Sequence, residues 1–174
     1  MELYLVRHIK PDFPEGTNYG QTDVPLPADH HTLHEAIIRL LPTEYDAVYS
    51  SPLTRCKLLA QAITTRHITD KRLMELHFGD WEGRKWDDIP RDELDAWMAD
   101  YINLAPPGGE SLQQLVDRFA ACIRDLQATQ SQRIVIITHA GIIRSAMHLF
   151  NGIPLSQIMM EKVEYGGIYT FNLK

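Results

Sequence analysis

Two histidines in this sequence stand where chemistry is easiest to build. An apolar run from Leu3 to Val6 ends in Arg7-His8, and a second, β-branched run from Arg133 to Thr138 ends in His139, followed by Ala140-Gly141. A guanidinium offers a planar fork for phosphate or carboxylate, and an imidazole near neutral pH offers a nitrogen nucleophile. Side chains at strand ends in open α/β sheets leave the core while the sheet still holds them, which is why ligands bind there. If the two runs are parallel neighbours, both imidazoles share one edge of one sheet. The small residues after His139 would then let a ligand approach a helix N-terminus, whose free N–H groups favour an anion. Either histidine alone is explained equally well as a polar strand end; the repetition is what points to a site.

Arg55 is a third candidate. Ala47-Val48-Tyr49 reads as a short strand, Ser50-Ser51-Pro52 as an N-cap followed by proline, and residues 52–65 as a helix. An arginine in the first turn of that helix points back toward the carboxyl edge of the sheet, where it favours a dianion together with the helix N-terminus. Taken singly, a solvated surface arginine is the plainer reading. Lys10 to Pro27 is rich in Pro and Gly and cannot form a long helix or a central strand. It reads as a loop walling the pocket. Its Asn18, Gln21, Thr22 and Asp23 suit contacts with a ligand and suit turn chemistry about as well.

The elements that must position these residues alternate along the chain. Apolar spacing predicts helices over 31–41, 52–65, 86–104, 111–129 and 141–150. Beside the two histidine strands and the strand at 47–49, residues 159–165 and 168–172 read as strands of a hairpin joined at Gly166-Gly167. Residues 72–83 read as a short apolar segment and a structured turn. The alternation implies a layered α/β fold with a mostly parallel sheet. A chain of 174 residues suits a single domain over 1–174. The excursion at about 84–108 is placed to cover the carboxyl edge as a partial lid.

A formal charge of -6 argues against nucleic acid as a partner, so any anion site must be a local cluster of Arg and His. No stretch is apolar for long enough to span a bilayer, and the first residues lack the order of a signal peptide. The expectation is a cytoplasmic protein with no membrane partner. Cys56 and Cys122 fall among apolar neighbours on predicted helices and read as core thiols rather than a disulfide. Neither a CxxC pair nor an HExxH string is present, so the sequence supports no dedicated metal site.

Five stretches, "LYLVRH" at 3 to 8, "VYSSPLTRC" at 48 to 56, "LMELHFGDWEG" at 73 to 83, "PPGGES" at 106 to 111 and "VIITHAGIIR" at 135 to 144, occur in one order over nearly the whole chain. In them the sequence resembles the histidine phosphatase superfamily, also called phosphoglycerate mutase-like. The resemblance implies a three-layer α/β/α fold with a mixed, mostly parallel sheet. It implies that His8 becomes phosphorylated, that Arg7, Arg55 and His139 hold the phosphate, and that Glu75 protonates the leaving group. It implies a small-molecule phosphomonoester as substrate and no cofactor or metal. The family string usually continues with Gly and then Thr or Ser, whereas Ile9, Lys10 and Pro11 follow here, and Pro14 stands where an Asn is common. Asn18 or Thr22 would then complete the phosphate shell, with Ala140 beside it at the helix start.

A narrower resemblance, through "GTNYGQTDVPL" at 16 to 26 together with "HFGDWEG", is to α-ribazole-5′-phosphate phosphatases of the cobalamin pathway. Broad-range small-molecule phosphatases share much of it. A phosphoglycerate mutase is disfavoured by the acidic excursion, which carries Asp87, Asp88, Asp92, Glu93, Asp95 and Asp100 where a basic lid would be expected. A non-catalytic module that binds a phospho-ligand would need neither Glu75 nor paired histidines. The oligomeric state, a homodimer included, is left open.

Overall fold

The computed structural model describes residues 1–173. A five-stranded sheet in the order β3-β2-β4-β1-β5 is built from β1 (Glu2–Arg7), β2 (Ala47–Ser50), β3 (Ile68–Thr69), β4 (Arg133–Thr138) and β5 (Ile168–Asn172). All neighbours are parallel except β5, which runs antiparallel to β1. In β4 the residues Ile134 to Ile137 are all 0% exposed, the signature of a strand covered on both faces. Strand residues alternate between two cores. Leu3, Leu5, Ile134 and Ile136 face one core, which takes in α4 (Leu112–Gln127) and α5 (Ala140–Asn151). Val6, Val135 and Ile137 face the other, with α1 (His30–Ile38) and α2 (Thr54–Ile63). The result is the expected three-layer α/β/α arrangement.

Register does the positioning. Arg7 of β1 lies beside Thr138 of β4, so the next residue on each chain is a histidine, and both leave the sheet at its carboxyl edge. Helix α4 begins at a capping box in which Ser111 and Gln114 satisfy each other's main-chain N–H groups. Cys56 and Cys122 are free and buried. No helix of the described residues is long and apolar enough to cross a membrane.

Several elements differ from the sequence reading. Residues 159–165 are not a strand: the short helix α6 (Leu155–Ile158) gives way to turns. Gly166 then donates its N–H to the carbonyls of Arg7 and His8 instead of turning a hairpin. Of the two expected hairpin strands only β5 joins the sheet, beside β1, so the apolar residues before Gly166 strap across the end of the sheet. The helix expected over 86–104 is a 3-10 turn at Trp86–Asp88 followed by α3 (Arg91–Ala99), because Pro90 interrupts the hydrogen-bond ladder. Phe78 meets Trp86 and Trp97 edge to face, Trp81 meets Trp97 likewise, Trp86 stacks on Trp97 and Tyr101 tilts against Trp97, and this cluster fastens the excursion to the body. Ser51 does not cap α2. Asp23, from the distant loop, accepts the Thr54 N–H at 2.9 Å and its hydroxyl at 2.5 Å.

Candidate active site

His8 closes β1 and is only 2% exposed. Its Nδ1 pairs with the Ile9 carbonyl at 2.6 Å; a carbonyl only accepts, so Nδ1 carries the proton and the Nε2 lone pair is free. His139 is the N-cap residue of α5 and is fully buried, with its ring centroid 5.0 Å from that of His8. Its Nε2 lies 2.8 Å from the Ser51 hydroxyl and 3.4 Å from the Cys56 sulfur. Burial, and then the charge of Arg55, hold both imidazoles well below the usual value of 6.5. Both are therefore neutral at pH 7.

Two guanidinium groups flank His8. Arg7 donates from Nη1 to the Val163 carbonyl, and its Cζ sits 3.6 Å from the centroid of the Tyr165 ring. Arg55 is fully buried and donates from Nη1 to Thr22 O at 2.9 Å and from Nη2 to Gly20 O at 2.5 Å. The Nε of each arginine is buried without a partner, as is Nδ2 of Asn18. An unmet buried donor is costly, so native structures rarely leave one without a reason. The two on Arg7 and Arg55, whose charges act on both histidines, define a place for acceptor oxygens, and Asn18 lines a cavity with Tyr19 and Glu75. Among the described residues no three His, Cys, Asp or Glu side chains converge to hold a metal ion.

Glu75 follows the 3-10 turn Lys71–Leu73. Its carboxylate accepts the N–H of Leu76 at 2.8 Å and that of Gly141, in the first turn of α5, at 3.1 Å. The helix N-terminus opened by the small residues after His139 is thus occupied by a side chain of this protein, where the sequence reading had put a ligand. Ala140 is buried beside it. Arg118 fixes the Glu75 carbonyl at 2.9 Å while its guanidinium is paired to Glu110 at 2.6 Å. Glu82, the next glutamate along the chain, is fully committed. Its two oxygens accept from the N–H groups of Gln21, Phe78 and Thr22 and from the Thr22 hydroxyl. Thr22 is accordingly exposed with its hydroxyl already spent, whereas Asn18 is buried with an amide to offer.

Sequence reasoning missed Glu82, Glu110, Arg118 and Ser51 as supports of the site. Each acts on a residue that only the folded sheet brings near. The one local hint was Glu110 just before a helix whose Arg118 lies two turns on, a spacing that returns a side chain to the same face.

Residues 3–174 match the model described as histidine phosphatase superfamily (branch 1). A putative phosphoserine phosphatase 2 of Hydrogenobacter thermophilus is 28% identical over 185 residues, covering 99% of this chain and 89% of the relative. An adenosylcobalamin/alpha-ribazole phosphatase of Salmonella typhimurium is 29% identical over 180 residues, covering 95% of this chain and 87% of the relative. Among solved structures, the alpha-ribazole phosphatase from Shigella flexneri superposes with a TM-score of 0.88 at 27% identity, over 100% of this chain and 91% of that one.

Proposed function

Given that this chain belongs to the histidine phosphatase superfamily and is a phosphoric monoester hydrolase, we propose that its substrate is α-ribazole-5′-phosphate, hydrolysed through a phosphohistidine on His8. Nε2 of His8 attacks phosphorus in line as the bond to the ester oxygen breaks. Glu75 in its acid form gives that oxygen a proton, then takes one from the water that cleaves the N–P bond. Arg7, Arg55 and Asn18 meet the equatorial oxygens through the three orphan donors, and His139 lines the same pocket. In phosphoryl transfer such fixed charges do most of the work.

The observation that carries the substrate reading is a groove of about 460 Å³ at the mouth, lined by Phe13, Tyr19, Trp86 and Tyr165. Aromatic faces on several sides suit a flat base, and the size suits a base with its sugar. The similarity of this chain to alpha-ribazole phosphatases is in keeping with it. A second reading, a small ester whose leaving group bears a carboxylate, is favoured by Arg144. That cation lines a cavity with Glu75 and, among the described residues, is bonded only through Nε, to Glu161 O at 3.0 Å. The test is kcat/KM for α-ribazole-5′-phosphate, phosphoserine and a sugar phosphate. A preference of at least tenfold for the first is expected; equal or inverted values reject the substrate and leave the reaction class standing.

A further inference from the structure

The pocket around His8 is shut. His8 is 2% exposed, and Arg55 and His139 are 0% exposed, while the aromatic groove lies outside them. Two tyrosines, 146 residues apart in sequence, form the partition, and their hydroxyl oxygens are 2.8 Å apart. The Tyr165 ring lies 5.7 Å from that of His8 and covers Arg7 at 3.6 Å; the Tyr19 ring stands 5.1 Å from the Arg55 guanidinium. Each aromatic face thus occupies a cation that a phosphoryl group needs. Tyr19 and Tyr165 also line the outer groove, so the same two side chains separate the place for the leaving group from the place for phosphorus.

The main chain behind each tyrosine is held. Around Tyr19, the Asn18 N–H donates to Arg84 O, Gly20 O and Thr22 O accept from Arg55, and the Gln21 and Thr22 N–H groups donate to Glu82. Around Tyr165, Val163 O accepts from Arg7, Gly166 N–H donates to Arg7 O and His8 O, and Gly167 O accepts from Arg7 N–H. Neither loop can swing without losing several bonds, whereas each phenol is joined to the other by one. Tyr165 is 38% exposed, and partly exposed side chains change rotamer quickly.

We propose that Tyr19 and Tyr165 are the access-determining residues of this enzyme, a pair of side-chain leaves that part to pass a terminal phosphoryl group to His8 while the leaving group stays in the aromatic groove. On entry the phosphate oxygens replace the ring faces on Arg7 and Arg55, exchanging cation–π contacts for charge-assisted hydrogen bonds. Water is kept from His8 until a substrate opens the leaves. The proposal rests on the reading of His8 as nucleophile, but its test does not use turnover.

Carbethoxylation of His8 by diethyl pyrocarbonate reports access directly. Nε2 attacks the carbonyl carbon, ethyl carbonate leaves, and the adduct is mapped by peptide mass spectrometry. Exposed His31 in the same sample is the internal standard. Relative to His31, Tyr19→Phe and Tyr165→Phe are each expected to speed His8 labelling about 3- to 10-fold, the worth of one net hydrogen bond. The double Phe variant should gain nothing more, because both changes remove the same bond. Tyr165→Ala should exceed all three. His8 labelling that keeps pace with His31 in every variant, or Phe effects that multiply, overturns the gate. Absence of a phosphohistidine in the wild-type protein overturns the reading of His8 instead, so the two failures are distinct.

Discussion

Gly141 and Glu75 approach so closely that a methyl group on the first would occupy the space of the second: a Cβ at position 141 would lie 2.2 Å from Glu75 Oε1. Gly141 sits inside α5 with no left-handed backbone to require it, so the carboxylate is the reason for the glycine. Gly141→Ala should push the carboxylate off the leaving-group side and lower kcat about 10- to 100-fold on alkyl phosphates, as expected of a misplaced catalytic group. Aryl phosphates, whose oxygen departs without a proton, should lose much less. A variant with equal losses on both would separate Glu75 from proton transfer.

Glu75→Gln and Glu82→Gln should fail in different ways. On the proposed mechanism the first removes the proton donor, so poor leaving groups should suffer most while thermal stability barely moves. In the second, each Glu82 oxygen accepts from two donors, so an amide turned either way sets its NH2 against two of them. A cost of about 2–4 kcal/mol in stability is expected from those lost bonds. KM should rise as well, because the loop held by Glu82 also supplies the carbonyls that aim Arg55. Thermal melts alongside kinetics on alkyl and aryl phosphates decide; a Glu82→Gln protein of unchanged Tm would show those bonds to be dispensable.

Acid-quenched labelling with substrate should place an acid-labile, base-stable phosphate on the peptide containing His8. His139 should remain unlabelled, since its Nε2 is taken up by Ser51. Chelator should leave the rate unchanged. An adduct on His139, or loss of all activity in chelator, would point to a different nucleophile or to metal-bound water.

Stability should fall on the acid side earlier than carboxylate titration alone would bring. His8 and His139 are held well below 6.5, chiefly by burial, and His34 is lowered to about 4 by burial and by its neighbours His30 and His31. Above pH 6.5 neither the folded nor the unfolded chain protonates them. Below it the unfolded chain binds protons that the folded chain refuses, so stability drops from about pH 6.5, the contribution of His34 being spent near pH 4. Tm measured from pH 8 to pH 4.5 should be level and then decline, with a shallower slope in His34→Gln. A flat profile down to pH 4.5 would contradict the burial of these rings in solution.

The sheet was legible where burial is two-sided and the helices where it is periodic. Ile134 to Ile137 and the apolar face of α4 announce themselves through residue type alone. β3 did not, because Ile68 and Thr69 are both exposed and paired only along one edge. Residues 159–165 misled because Met159, Val163 and Tyr165 have strand-like composition, yet the Val163 carbonyl is taken by the Arg7 guanidinium and the Gly166 N–H by the Arg7 and His8 carbonyls. The two histidines, Arg7 and Arg55 could be singled out because they end or begin elements, and Glu75 only through the family resemblance. Tyr19 against Tyr165, Asp23 under α2 and Glu82 under the loop were not. Each depends on a contact between loops whose paths are set by the whole fold rather than by local spacing.

The neutrality of the two imidazoles has a consequence for the origin of any pH dependence in ligand capture. With His8 and His139 uncharged through the physiological range, the positive charge of the pocket comes from guanidinium groups, which do not titrate there. The cationic side of the receptor therefore has a fixed charge, and the proton that alters its attraction for the phosphoryl group belongs to the ligand. Affinity for a phosphomonoester should track the ester's own second ionisation, near pH 6, strengthening as the dianion forms and levelling once it is complete. A protein lying in wait with constant polarity leaves its guest to decide, by its own state of charge, when it is bound.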